Sequence, residues 1–205
     1  MGKRLIRQLL TRNHRVIALI RKGSESKLPK GAAAVTANAF DAQSFEHAVP
    51  TNCVFVQLLG VPHPNPKKAP LFDLIDLNSV KQSALAAKHA GVSHFIYVSV
   101  SMEPSSLLHA YQHTRKQGEE VCRNAGLNCT FIRPWYVLGP GHWWPVLLLP
   151  LYFIARLIPS LKHKAKAFDL VTIHQMIKTL INTVEAQPES LKIINIQEIK
   201  SARLP

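Results

Sequence analysis

The side chains best placed for chemistry fall in three groups. Tyr111 and Arg115 stand four residues apart in a helix-like stretch, Ser105 to Asn124, which sets a phenol and a guanidinium on one helix face. Arg133-Pro134-Trp135-Tyr136 runs into Val137-Leu138-Gly139-Pro140-Gly141. Pro134 restricts Arg133 to extended geometry, and the two glycines permit a sharp turn. Arg21 and Lys22 follow a short apolar run and put two cations side by side, with no acid until Glu25. Histidine also invites a metal reading. His109 and His113, four apart on a helix, could hold a divalent ion, but no third ligand accompanies them. His63, His142, His163 and His174 lack a helical partner at metal spacing, so no metal site is expected.

The elements that must carry these residues alternate. A helix, Gly2 to Leu10, precedes a strand, Arg15 to Ile20, whose continuous apolar run suits a buried parallel strand. A polar loop leads to a short strand near Ala34 to Ala37 and a short helix, Ala42 to Val49. Cys53 to Leu58 reads as a central strand. Gly60 to Pro70, with four prolines, reads as loop, and Leu71 to Ala90 as a helix stopped by Gly91. His94 to Val100 is a strand, the helix at 105–124 ends at Gly126, and Asn128 to Arg133 is a further strand. Thr172 suits an N-cap, with Ile173, Met176, Ile177, Leu180, Ile181 and Val184 on one helix face, and Leu191 to Ile196 forms the last strand. Strands alternating with helices indicate right-handed crossovers, hence an α/β, doubly wound, mainly parallel sheet in one domain over 1–205.

Composition bounds the function. A chain of 205 residues, 47% hydrophobic, can bury one core. Its net charge of +13 is spread along the chain without interleaved aromatics, which argues against a specific nucleic-acid partner and for an anionic small ligand. Cys53, Cys122 and Cys129 show no metal spacing or disulfide framework and read as buried thiols in a reducing cytoplasm. The first 22 residues are basic and acid-free like a transit peptide, but the helix-then-strand pattern is preferred. The apolar stretch at 143–159 is interrupted by Pro145, Pro150 and Arg156 and falls short of the ~20 apolar residues a span needs. It suits a lid, a dimer face or a pocket helix, so peripheral membrane contact and a homo-oligomer stay open.

Taken in order, Leu59-Gly60-Val61-Pro62-His63-Pro64, Tyr97-Val98-Ser99-Val100 and Arg133 to His142 resemble the NmrA-like, atypical branch of the short-chain dehydrogenase/reductase superfamily, close to its epimerase-dehydratase-like members. The resemblance implies a Rossmann-like NAD(P)-binding domain, with about 140–190 forming the substrate side. Such proteins open with a strand, a turn of the form G-x-x-G-x-x-G and a helix, the pyrophosphate lying at the helix N-terminus. Here Gly2 matches the last glycine, and the strand and other glycines are not in the sequence. An N-terminally truncated Rossmann-like sheet is therefore expected. The absent central strand is worth on the order of 10 kcal/mol of apolar burial, as much as a typical domain's stability of ~5–15 kcal/mol.

By the same resemblance, Arg21 and Lys22 stand where these folds choose between dinucleotides, and cations there favour a 2′-phosphate, NADP ahead of NAD. Asn38 and Ala39 match the adenine edge, and Leu59, Gly60 and Val61 the loop beneath the ribose. Pro134, Trp135 and Tyr136 match the loop against the nicotinamide. Reductases of this kind use a tyrosine with a lysine four residues later, beside a serine. Tyr111 matches the tyrosine, Arg115 replaces the lysine as ribose and charge partner, and the serine position falls at Val100, between Ser99 and Ser101. Two functions follow. One is an NADP-dependent oxidoreductase or isomerase on a small apolar carbonyl substrate, with Tyr111 and Arg115 catalytic. The other is a non-catalytic NADP-binding sensor or accessory subunit, or an inactive fragment.

Overall fold

The computed structural model describes residues 1–105, 108–139 and 169–203. His142 and the apolar stretch at 143–159, with most of the expected substrate side, lie outside the described residues. A parallel sheet is formed by β3 (Val54–Gln57), β4 (His94–Val98), β5 (Cys129–Ile132) and β8 (Leu191–Ile194), in that order. Every pairing in it is parallel, with Phe55 opposite Phe95, Phe95 opposite Cys129, and Cys129 opposite Leu191. Side chains alternate between its faces, as a strand repeat of two requires. Ile96, Ile132 and Ile194 join Leu5 and Leu9 of α1 (Gly2–Thr11) and the apolar stripe of α5 (Ile173–Glu185). Phe95, Tyr97, Cys129 and Phe131 meet Val80, Ala84 and Ala87 of α3 (Asn78–Ala90) and Cys122 of α4 (His109–Asn124). Helices on both faces of a parallel sheet make the fold Rossmann-like and doubly wound, as the sequence pattern requires.

The edge toward the chain's beginning is different. β1 (Ile17–Ile20) pairs in parallel with β2 (Ala33–Thr36), and β1 is not hydrogen-bonded to β3. A cavity of about 540 Å³ separates them, lined by Val16 and Leu19 on one side and Val54 and Val56 on the other, with Leu5 and Leu9 covering one face. A third, two-stranded parallel sheet joins β6 (Tyr136–Leu138) to β7 (Leu170–Thr172).

Local chemistry accounts for the departures from the expected elements. The segment at 42–49 is two 3₁₀ turns, Ala42–Ser44 and Glu46–Ala48, because Asp41 caps the first through Gln43 N–H and Phe45 breaks the run. The helix expected from Leu71 begins earlier, at α2 (Ala69–Leu71), and passes through a π-helical stretch, Phe72–Leu77, before α3. Gly91, at φ 65°, adopts the left-handed conformation that ends α3. α4 starts at His109 rather than Ser105. The last strand stops at Ile194 because Asn195 and Glu198 form a capping box that opens α6 (Ile196–Ser201). Thr172 caps α5 through the same device, with Gln175. Among the described residues no helix is long and apolar enough to cross a membrane.

Candidate dinucleotide groove and tyrosine–arginine site

The carboxyl ends of β1, β2 and β3 open into a cavity of about 790 Å³ that Arg21, Lys22, Asn38, Ala39 and Leu59 line together. Three separate loops contribute them, so only the parallel arrangement of the strands brings them to one place. Phe40 and Ile75 complete the apolar wall. Asn38 is partly committed: its side-chain carbonyl accepts from Phe40 N–H at 3.1 Å, a turn-stabilising bond that leaves one lone pair for another donor. Gly2 heads α1 close to Leu58 and lines the adjoining cavity between β1 and β3, which shares Ala39 and Leu59 with the groove. No side chain caps the first turn of α1.

Beyond Leu59 lies a buried polar cluster. Arg115 Nε donates to the Tyr111 hydroxyl at 3.0 Å, and Nη1 donates to the Tyr97 hydroxyl at 3.2 Å and to the Val98 carbonyl at 3.0 Å. Nη2 lies 2.5 Å from Asp76 Oδ1, and Asp76 Oδ2 accepts from Val61 N–H at 3.0 Å. Asp76 is fully buried, and Tyr111 and Arg115 are exposed by only 8% and 5%. Phe72 meets the Tyr111 ring edge-on at 5.0 Å, and Val61 and Val100 close the pocket. Gly60 permits this arrangement. A Cβ there would sit 2.7 Å from Asp76 Oδ1 and overlap Arg115 Nη2.

Burial is the main influence on these groups. It pushes the Tyr111 phenol above its ordinary value, against the pull of Arg115, and does the same to Tyr97. Both phenols therefore carry their protons at neutral pH. Burial also raises the Asp76 carboxyl, with Arg115 and Val61 N–H opposing it.

The remaining candidates take varied positions. Ser99 is 4% exposed and its Oγ has no hydrogen-bond partner, an orphaned buried hydroxyl beside the end of β4. Val100 and Ser101 are buried next to it. Pro134 is buried and its carbonyl accepts from Ser101 N–H at 2.9 Å, which ties the loop after β5 to the loop after β4. Trp135 packs between the Tyr111 pocket and the core under α5, and Tyr136 begins β6. Arg133 turns away from the groove and pairs with buried Glu119 at 2.5 Å. His109 and His113 are exposed, their rings stacked 6.5 Å apart. Reading the sequence alone missed Asp76 and Tyr97. Asp76 is an acid inside the apolar run Phe72 to Leu77, and that mismatch was the available signal.

A family model described as NAD(P)H-binding matches residues 1–139. Among solved structures, MoeE5 in complex with UDP-glucose and NAD is 15% identical, with a TM-score of 0.68 over 97% of this chain and 75% of that one. The Bordetella bronchiseptica enzyme WbmH in complex with NAD+ is 17% identical, with a TM-score of 0.67 over 96% and 74%. UDP-glucuronic acid 4-epimerase from Bacillus cereus in complex with NAD is 16% identical, with a TM-score of 0.66 over 95% and 73%. At these identities the likeness is one of fold. No curated protein matches the chain in sequence.

Proposed function

Because the chain belongs to the NAD(P)H-binding family, we propose that it holds a nicotinamide dinucleotide along the groove from Arg21 to Tyr111, NADP in preference to NAD, and acts as an oxidoreductase on a small apolar carbonyl compound. The observation that carries this reading is continuity. Ile75 lines the groove that holds Arg21, Lys22 and Asn38, and it also packs against the pocket of Tyr111. The residues fit the cofactor. Arg21 and Lys22 suit a 2′-phosphate, Asn38 and Ala39 the adenine, and the uncapped start of α1 at Gly2 the pyrophosphate. Ser99 Oγ is a buried hydroxyl in want of a partner, as a bound polar group would provide. Bound nicotinamide supplies or accepts hydride. Tyr111 holds the proton at its phenolic oxygen, and Arg115 Nε, donating to that oxygen, stabilises the charge left when the proton moves.

A titration of NADPH against NADH, read by fluorescence and thermal melting, tests the binding. NADPH is expected to bind more tightly, and Arg21→Glu to erase the preference. Equal affinity for both in the unaltered protein sinks the NADP assignment. One observation favours a second reading, a non-catalytic sensor or accessory subunit: every nitrogen of Arg115 is engaged within the protein. Steady NADPH oxidation with a panel of carbonyl compounds, lost in Tyr111→Phe, supports the enzyme, and turnover undiminished by that substitution removes Tyr111 from the chemistry.

A further inference from the structure

We propose that Asp76 is a positioning residue: it fixes the Arg115 guanidinium so that Nε faces the Tyr111 hydroxyl, and it couples that pair to the Leu59–Val61 loop of the dinucleotide groove. The inference rests on the dinucleotide reading for its functional meaning, and on geometry for its content.

A guanidinium is a planar fork whose donors point in fixed directions. At Arg115 one edge serves Tyr111 through Nε, the middle serves Tyr97 and the Val98 carbonyl through Nη1, and the far end meets Asp76 through Nη2. Tyr97, Tyr111 and the Val98 carbonyl are neutral acceptors. Asp76 is the anion of the cluster, and it anchors the end of the fork away from Tyr111. Rotating the fork about its long axis, or withdrawing it, would strand a fully buried carboxylate, which is strongly unfavourable. A lysine offers only a point charge and would need no such anchor.

The anchor also reaches the groove. Asp76 Oδ2 accepts from Val61 N–H, and the missing Cβ of Gly60 makes room for both Asp76 and Arg115. Leu59, the preceding residue, lines the groove. A shift of that loop on ligand binding therefore moves the acceptor that sets the fork. The π-helical stretch makes this reach possible, since its widened turn carries both acids toward α4: Asp76 to Arg115 and Asp73 to Thr114 Oγ1, at 2.9 Å. Ser79 Oγ, donating to the Asp76 carbonyl at 3.1 Å, steadies the turn.

Among the described residues, the titratable and charged groups facing the cluster are Asp76, Tyr97, Tyr111 and Arg115, with Asp73 at its margin and Cys122 beside Tyr97. Burial is the main cause that raises the Tyr111 phenol, Arg115 opposes it, and the Asp76 charge adds to burial. The test is phenol ionisation by ultraviolet difference absorbance, with Tyr111→Phe as the reference for the Tyr111 signal, so it needs no dinucleotide. Asp76→Asn removes a nearby negative charge in either background and so lowers the Tyr111 ionisation. Where Arg115 is present, its loosened fork gives up part of its pull on the phenol, so the downward shift is expected to be smaller than in an Arg115→Gln background, or reversed. An equal shift in both backgrounds, or a larger downward shift with Arg115 present, overturns the proposal. Should Asp76→Asn fail to fold, the double variant Asp76→Asn with Arg115→Gln is expected to fold, because the stranded charge is gone. Failure of both would make Asp76 a structural acid and overturn the proposal as well. Absence of NADPH binding by the unaltered protein would instead defeat the functional reading and leave this coupling standing.

Discussion

The sheet from β3 to β8 and the ribbon of β1 and β2 are made from the same parts, parallel strands with helical cover, yet they bury differently. Phe95, Ile96, Tyr97, Phe131 and Ile132 are wholly inaccessible in the first, while Ile17 in the second is 36% exposed and no residue of β1 or β2 is fully buried. The apolar content of the strands does not explain this, for Ile17-Ala18-Leu19-Ile20 is as apolar as Cys129-Thr130-Phe131-Ile132. Pairing does. β4 and β5 have neighbours on both edges, whereas β1 faces the cavity that separates it from β3. Hydrophobic stabilisation follows area removed from water, so the same side chain contributes less beside an open edge.

Two substitutions sharpen or break that contrast. Phe131→Ala is expected to cost about 3–5 kcal/mol in denaturant unfolding, since the surrounding core cannot collapse around the void. Ile17→Ala is expected to cost about 1 kcal/mol. Comparable losses at the two sites would mean that β1 is buried in solution against something that pairs with its free edge.

Gly60→Ala probes the loop that follows β3 and borders both regions. The added Cβ collides with Asp76 and Arg115 and drives a buried ion pair apart, for an expected loss of about 3 kcal/mol. A variant that unfolds like the unaltered protein would show that the pair can relax elsewhere. The smallest effect concerns the link between the α1 end and α5. Arg12 Nε and His14 Nε2 both bond Glu185 Oε1, at 2.6 and 2.9 Å. Together, Arg12 foremost, they lower the Glu185 carboxyl from the ordinary 4.5 to about 2. A depressed folded-state value contributes stability above pH ~4.5 and loses it as pH falls through about 2. Thermal melts across that window are expected to show a slight acid-side decline that Glu185→Gln removes, small because these side chains are partly exposed to solvent.

Much of the architecture was legible from local signals. The apolar runs at Val54, Phe95 and Cys129, the glycine after α3 and the Thr172 cap each act within a few residues, so a sequence displays them directly. The signals that failed were also local, but mixed. Phe72 to Leu77 has helical composition, and nothing in its residue types distinguishes a π turn from an α turn; its geometry places Asp76 against α4. Asn195 and Glu198 did carry a capping signature, and the apolar run before them masked it.

At the site the division is sharper. Tyr111 and Arg115 were visible as a pair because helical spacing alone puts them on one face. Arg21, Lys22, Asn38 and Leu59 could be named one by one, but their meeting in one groove required three strands to end side by side. By itself, the sequence determined an α/β chain of parallel strands and the residues available for chemistry. Tertiary structure alone decided that Arg115 is clamped by Asp76 rather than left reaching into the groove, and that Gly60 makes the space. That choice depends on where the π-helical stretch crosses α4, and a contact between elements distant in sequence has no periodicity for a sequence to display.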